Sequence, residues 1–127
     1  MELMRSFYSK IPILCFLSQS EVFNRCHAYG AVFYQAHPFR EPCVPQRPEY
    51  LDGVEYNQRP EQWESRMKNW MCGGKDYPEL RLISGSDCHD LDQVGYGGIE
   101  IEENVDNIKE IVAIMKKGNY RLITTPV

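Results

Sequence analysis

Ile83-Ser84-Gly85-Ser86-Asp87-Cys88-His89-Asp90 closes an apolar run that begins at Leu80. The run stops at a glycine and then presents Ser, Asp and His. Asp87 and His89 are two residues apart, and in extended chain residues i and i+2 point to the same face. A carboxylate and an imidazole so placed can lean over one point and hold a cation of the Zn, Mn or Fe type. Cys88 then points to the opposite face, where a small apolar side chain fits a core. Taken alone, D-x-H is as readily a strand-end turn with a hydrogen-bonded Asp. Its position adds weight, because the C-terminal end of a buried strand is where sites sit in parallel α/β folds.

Upstream of this stretch, Ala31-Val32-Phe33-Tyr34-Gln35-Ala36 is a nearly continuous apolar strand that ends in His37-Pro38-Phe39-Arg40. Proline cannot extend a central strand and biases the residue before it toward extended backbone. His37 is therefore expected at a strand end with a restricted backbone, either as a metal ligand or as a hydrogen-bonded strand-end histidine. Residues 41–50 hold Pro42, Pro45 and Pro48 and read as a loop over the strand ends. Asp52 to Asn57 is the next strand, with Glu55 and Asn57 on one face. Glu55 is either a supporting group for the site or an exposed strand residue. Arg59-Pro60 opens a helix to about Cys72, with Trp63, Met67, Trp70 and Met71 as its buried stripe.

Ile11 to Leu17 reads as a short strand, too short to cross a bilayer. Ser18-Gln19-Ser20-Glu21 fits a capping box and starts a helix that Gly30 ends. His27 lies in this helix and is expected at its surface or flank. Downstream, Leu91 to Gly98 reads as a glycine-containing loop and Ile99 to Glu102 as a strand. A helix capped by Asn104 follows, with Val105, Ile108, Ile111, Val112 and Met115 on one face and Gly118 as its stop. Tyr120 to Thr124 is the last strand. Repeated strand–helix units with strands of buried type predict an α/β fold of mainly parallel strands in one domain.

Composition narrows the function. The 127 residues are 43% hydrophobic and 25% charged, with a net charge of -4. That acidic balance disfavours a free-standing nucleic-acid binder, whose phosphate contacts need a basic surface. The five cysteines include no C-x-x-C pair and are odd in number. They read as reduced thiols of a cytoplasmic protein rather than a secreted disulfide framework.

In order, "GAVFYQAHPFRE", "LDGVEYNQRP" and "LISGSDCHDLDQVGYGG" resemble the C-terminal half of the PHP family, the polymerase and histidinol phosphatase domains. The resemblance runs from about Ser18 to Thr124. It implies a distorted seven-stranded (β/α) TIM-like barrel, of which this chain is the C-terminal half. It also implies a metal-dependent phosphoesterase acting on a phosphorylated small molecule. His37, Asp87 and His89 are then metal ligands in a cluster of two or three divalent ions, with Asp87 and His89 carrying the catalytic role. Arg40 suits a substrate phosphate, and Glu55, Asn57 and Arg59 suit support or substrate contact.

The H-x-H strand that opens such a barrel has no counterpart among the three histidines here. A closed (β/α) barrel takes about 250 residues. Half of one leaves sheet edges and apolar faces to be paired, which predicts a homo-oligomer or association with an N-terminal half. The alternative is a non-catalytic half-domain serving as a binding or assembly module.

Overall fold

The computed structural model describes residues 17–56 and 80–124. The expected strand at 11–17, apart from its last residue, and the helix at 59–72 lie outside them, as do Asn57 and Arg59. The described chain runs α1 (Gln19–Ala28), β1 (Tyr34–Gln35), β2 (Gly53–Tyr56), β3 (Arg81–Ser84), β4 (Gly97–Glu100), α2 (Ile108–Lys117) and β5 (Arg121–Thr124). Short 3-10 turns at Pro48–Tyr50 and Leu91–Gln93 interrupt the loops.

β1, β2 and β3 form a parallel sheet in that order, as the strand–helix alternation predicts. β4 and β5 depart from the expectation: they pair with each other antiparallel, as a separate two-stranded ribbon. An apolar strand pattern reports burial but not direction. Here Glu100 lies opposite Arg121, and their side chains meet at 2.6 Å, a cross-strand pair that suits this register.

α1 begins where the sequence placed it. The Ser18 side chain accepts from the Glu21 N–H, and the Glu21 carboxylate accepts from the Ser18 N–H at 2.8 Å, closing the capping box. α2 starts three residues later than expected. Asn107, not Asn104, is its cap, and its side-chain oxygen accepts from the Glu110 N–H at 3.1 Å. Val105, taken for the first residue of the apolar face, precedes the helix. Gly118 ends α2 at φ 75, a conformation that favours glycine.

The core is centred on β2. Val54 is fully buried and Leu51 nearly so, with Phe33, Phe39, Tyr56, Leu80 and Leu82 packed around them. Burying one such aliphatic side chain contributes about 1.5–3 kcal/mol. Cys26 is buried in α1, as expected of a small core residue. Cys88 is exposed instead, with its thiol turned to the Asp90 carbonyl. The expected opposite-face placement fails because Asp87, just before it, leaves extended conformation at φ 49.

The ribbon is fixed to the sheet by side chains. The Tyr120 hydroxyl donates to the Leu82 carbonyl at 2.6 Å, and the Ser84 hydroxyl to the Ile123 carbonyl at 2.6 Å. Gly97 meets the backbone of Gly85 so closely that a Cβ at Gly97 would collide with it.

Candidate functional site

Parallel pairing brings the C-terminal ends of β1, β2 and β3 to one edge of the sheet. Five of the seven sequence-derived site residues stand there. His37 follows β1, Arg40 lies in the turn beyond it, Glu55 is in β2, and Asp87 and His89 follow β3.

Glu55 organises this edge. Its carboxylate accepts the backbone N–H of His37 at 2.8 Å. It also rests on Gly85, where any Cβ would collide with it. Of the two readings of Glu55, supporting group or exposed strand residue, these contacts favour the first.

His37 is not extended. Its φ is 28, and its carbonyl accepts from the Arg40 N–H at 3.1 Å, so the chain turns over His37 and the buried Pro38. The proline bias is overridden by two anchors, the Glu55 carboxylate on the His37 N–H and the packing of Pro38. His and Asp are among the residues that enter positive φ most readily. Backbone of this kind persists where the surroundings hold it, and it concentrates at functional sites.

The expected geometry of Asp87 and His89, side by side on an extended chain, is also absent. The turn at Asp87 brings His89 back, so that its Nδ1 lies 2.7 Å from the Asp87 carbonyl. The His89 N–H donates to Gln93 Oε1 at 2.9 Å. His37 is tied similarly, with Nδ1 at 3.2 Å from the Cys43 thiol. The loop bearing Cys43 is itself held to β1 and α1. Gln35 Nε2 donates to the Val44 carbonyl at 2.8 Å, and Gln19 Nε2 to the Arg47 carbonyl at 2.7 Å.

The Asp87 carboxylate is ion-paired with the Arg40 guanidinium. That hydrogen bond holds the Asp87 carboxyl below the usual carboxylate range. Partial burial opposes the shift, and the charge of Arg40 and the positive potentials of His89 and His37 reinforce it. Arg40 is stabilised as a cation by Asp87 first, and also by Cys43 and Glu55.

Imidazole and carboxylate are donor types that suit a divalent cation, but among the described residues they do not come together as a site for one. Each imidazole has Nδ1 engaged by a partner, which leaves Nε2 free to ligate, and the Asp87 carboxylate stands at the same sheet edge. The arrangement is not a closed ligand cage: among the described residues, no three His, Cys, Asp or Glu side chains form a metal-holding group.

His27 lies far from this edge. Its Nε2 is 2.9 Å from both Asp52 carboxylate oxygens. Asp52 also accepts the Phe33 N–H at 2.6 Å and so joins α1 to the sheet. With Tyr34, Arg81 and Lys116, these two residues line a cavity of about 420 Å³ at the opposite ends of the strands. Cys43 is the site-edge residue that the sequence did not single out. Its spacing of six from His37 matches no ligand motif, and the turn alone brings the two together.

Residues 79–120 match the family model described as PHP-associated. The matched stretch takes in β3, Asp87, His89, β4 and α2, and it agrees with the resemblance to a PHP C-terminal region. His37, Arg40 and Glu55 precede it. No curated protein and no solved structure matches the chain. No helix among the described residues is long and apolar enough to cross a membrane.

Proposed function

We propose that this chain is the C-terminal half of a PHP-type (β/α) barrel and supplies part of a metal-dependent phosphoesterase site for a phosphorylated small molecule. The observation that carries the reading is the position of Asp87, paired with Arg40 and following β3 at the same edge of a parallel sheet as His37 and His89. His37, Asp87 and His89 would hold the cation, of the Zn, Mn or Fe type. When bound, such a cation supplies a more acidic water and stabilisation of charge on phosphoryl oxygens.

The remaining roles belong to the chain's own groups. Glu55 fixes the backbone of His37, and the carbonyl of Asp87 and the thiol of Cys43 orient the imidazoles. The Arg40 guanidinium offers a planar fork that matches phosphate. Further ligands come from an N-terminal half or a second copy of the chain, and the cytoplasm is the compartment proposed.

A second reading, a non-catalytic assembly module, is favoured by one observation: no three donors form a metal-holding group among the described residues. Metal analysis by mass spectrometry on protein purified without chelator separates the two, together with hydrolysis of an aryl phosphate in Mn²⁺ or Zn²⁺. Stoichiometric metal and turnover, both lost in Asp87→Ala, support the phosphoesterase. Folded protein with neither supports the module.

A further inference from the structure

We infer that the cavity at the N-terminal ends of β1, β2 and β3 binds a small molecule through a phosphate group, held by the Arg81 guanidinium and the Lys116 ammonium. This site is separate from the edge that carries Asp87 and needs no metal ion. Tyr34, Asp52 and Arg81 stand at the starts of the three parallel strands, and His27 and Lys116 come from the last turns of α1 and α2. The space is about 420 Å³, within the range of about 300–1,000 Å³ typical of small-molecule sites. It therefore has room for an organic group beside the anion.

Charge selects an anion. The ion pairs among the described residues join His27 to Asp52, Arg40 to Asp87, Arg47 to Glu49 and Arg121 to Glu100. Arg81 and Lys116 take part in none of them. Asp52, the carboxylate of the lining, is already engaged by the His27 imidazole and the Phe33 N–H. Arg81 is also held in place. Its Nε donates to the Lys116 carbonyl at 3.1 Å. Its Cδ, Nε and Cζ pack beside Gly118, 3.3 Å from where a Cβ would stand. With Nε committed to the end of α2, the terminal nitrogens remain as donors, and a guanidinium presents such a pair to phosphate bidentately. Lys116 adds a point charge from the same end of α2.

Tyr34 supplies a wall for the organic part of the ligand. Its ring lies across Gly53, its partner in the β1–β2 register, where a Cβ would collide with it. Its hydroxyl is buried and has no hydrogen-bond partner among the described residues. The neighbouring Tyr120 hydroxyl donates its proton to the Leu82 carbonyl. A buried hydroxyl left in this state marks an incomplete polar site, which a bound ligand or the water it carries completes.

The test measures binding, not turnover. Metal-free full chain is titrated with phenylphosphonate, whose P–C bond a phosphoesterase does not cleave, at ionic strength held constant with chloride. Backbone amide shifts are followed by nuclear magnetic resonance. Saturable shifts are expected at Phe33, Asp52, Arg81 and residues 116–118. Arg81→Gln should weaken binding about 5- to 20-fold, for loss of a charge-assisted bidentate contact at a half-exposed position. Lys116→Gln, a change on an exposed helix surface, should weaken it about two- to fivefold. Arg121→Gln, which removes a cation elsewhere on the surface, should behave as wild type.

Shifts that do not saturate, or that gather at Asp87 and His89 instead, overturn the cavity site. So does binding that is weakened by Arg40→Gln and untouched by Arg81→Gln. A folded Lys116→Gln variant that binds as tightly as wild type removes the ammonium from the site and overturns the inference as stated. The metal-site reading is tested by Mn²⁺ or Zn²⁺ alone and stands or falls independently of these results.

Discussion

The backbone N–H of His37 donates to the Glu55 carboxylate at 2.8 Å, across the boundary between two parallel strands. The same carboxylate lies against Gly85, two residues before Asp87. One β2 side chain thus sets the separation of the two strand ends that carry the candidate ligands. It also holds His37 at a φ of 28.

Removal of that carboxylate should be felt at the proposed metal site before it is felt by the fold. Glu55→Ala is expected to weaken Mn²⁺ affinity by about 10- to 100-fold, the usual effect of losing a group that orients a ligand. Glu55→Gln keeps an acceptor for the His37 N–H and should recover most of the loss. Metal titration of both variants, with circular dichroism to confirm folding, checks this. Equal losses in Ala and Gln would show that the charge, not the hydrogen bond, matters.

Gly97 and Gly85 should separate stability from function. A Cβ at Gly97 meets only backbone, which cannot move aside. Gly97→Ala should cost about 1–3 kcal/mol, as overpacking does, read as a lower urea midpoint. A Cβ at Gly85 meets the end of the Glu55 side chain, which can swing away. Gly85→Ala should therefore lower metal affinity more than it lowers the midpoint.

Asp52 binds both the His27 imidazole and the Phe33 N–H. Asp52→Ala leaves a partly buried N–H without its acceptor and should cost about 1–3 kcal/mol. Denaturant unfolding of the variant measures the loss. No effect on Mn²⁺ binding is expected, because this contact lies at the far ends of the strands.

The α1 cap predicts a pH dependence. The Ser18 backbone N–H and then its side chain hydrogen-bond the Glu21 carboxylate and lower its pKa. A lowered folded-state pKa means that the unfolded chain binds more protons. The stabilisation is therefore complete above the ordinary glutamate range and is lost as pH falls through the depressed value. Ser18→Ala should cost about 1 kcal/mol at neutral pH, and its difference from wild type should shrink in acid. Thermal melts of both proteins from neutral to acid pH test the sign.

The features legible from sequence are those that short-range chemistry specifies. The S-x-x-E cap of α1, the glycine stop of α2 and the apolar strands at β2 and β3 all appear in place. The antiparallel pairing of β4 with β5 was not legible, because an apolar run does not encode direction. The Asn104 cap was misplaced for a local reason: two asparagines precede the helix, and the contact of Asn107 with the Glu110 N–H distinguishes them.

At the site, the meeting of Arg40 with Asp87 spans 47 positions, and no periodicity foretells it. The positive φ angles at His37 and Asp87 run against the extended reading of both segments. At His37 the tertiary anchor is Glu55, which takes the backbone N–H from another strand.

Among the described residues, the two sheets share no backbone ladder. Among the described residues, the hydroxyls of Tyr120 and Ser84, the Gly97–Gly85 contact and the Arg81 guanidinium on the Lys116 carbonyl at 3.1 Å join the ribbon and α2 to β3. Residues 97–124 therefore form a unit able to detach as a whole while β2 stays protected. In native-state hydrogen exchange, the amides of β4 and β5 would open at a lower free energy than those of β2. Each such opening would take away the support behind Gly85, so the persistence of the candidate site depends on Tyr120, Ser84 and Arg81, none of which is a candidate ligand.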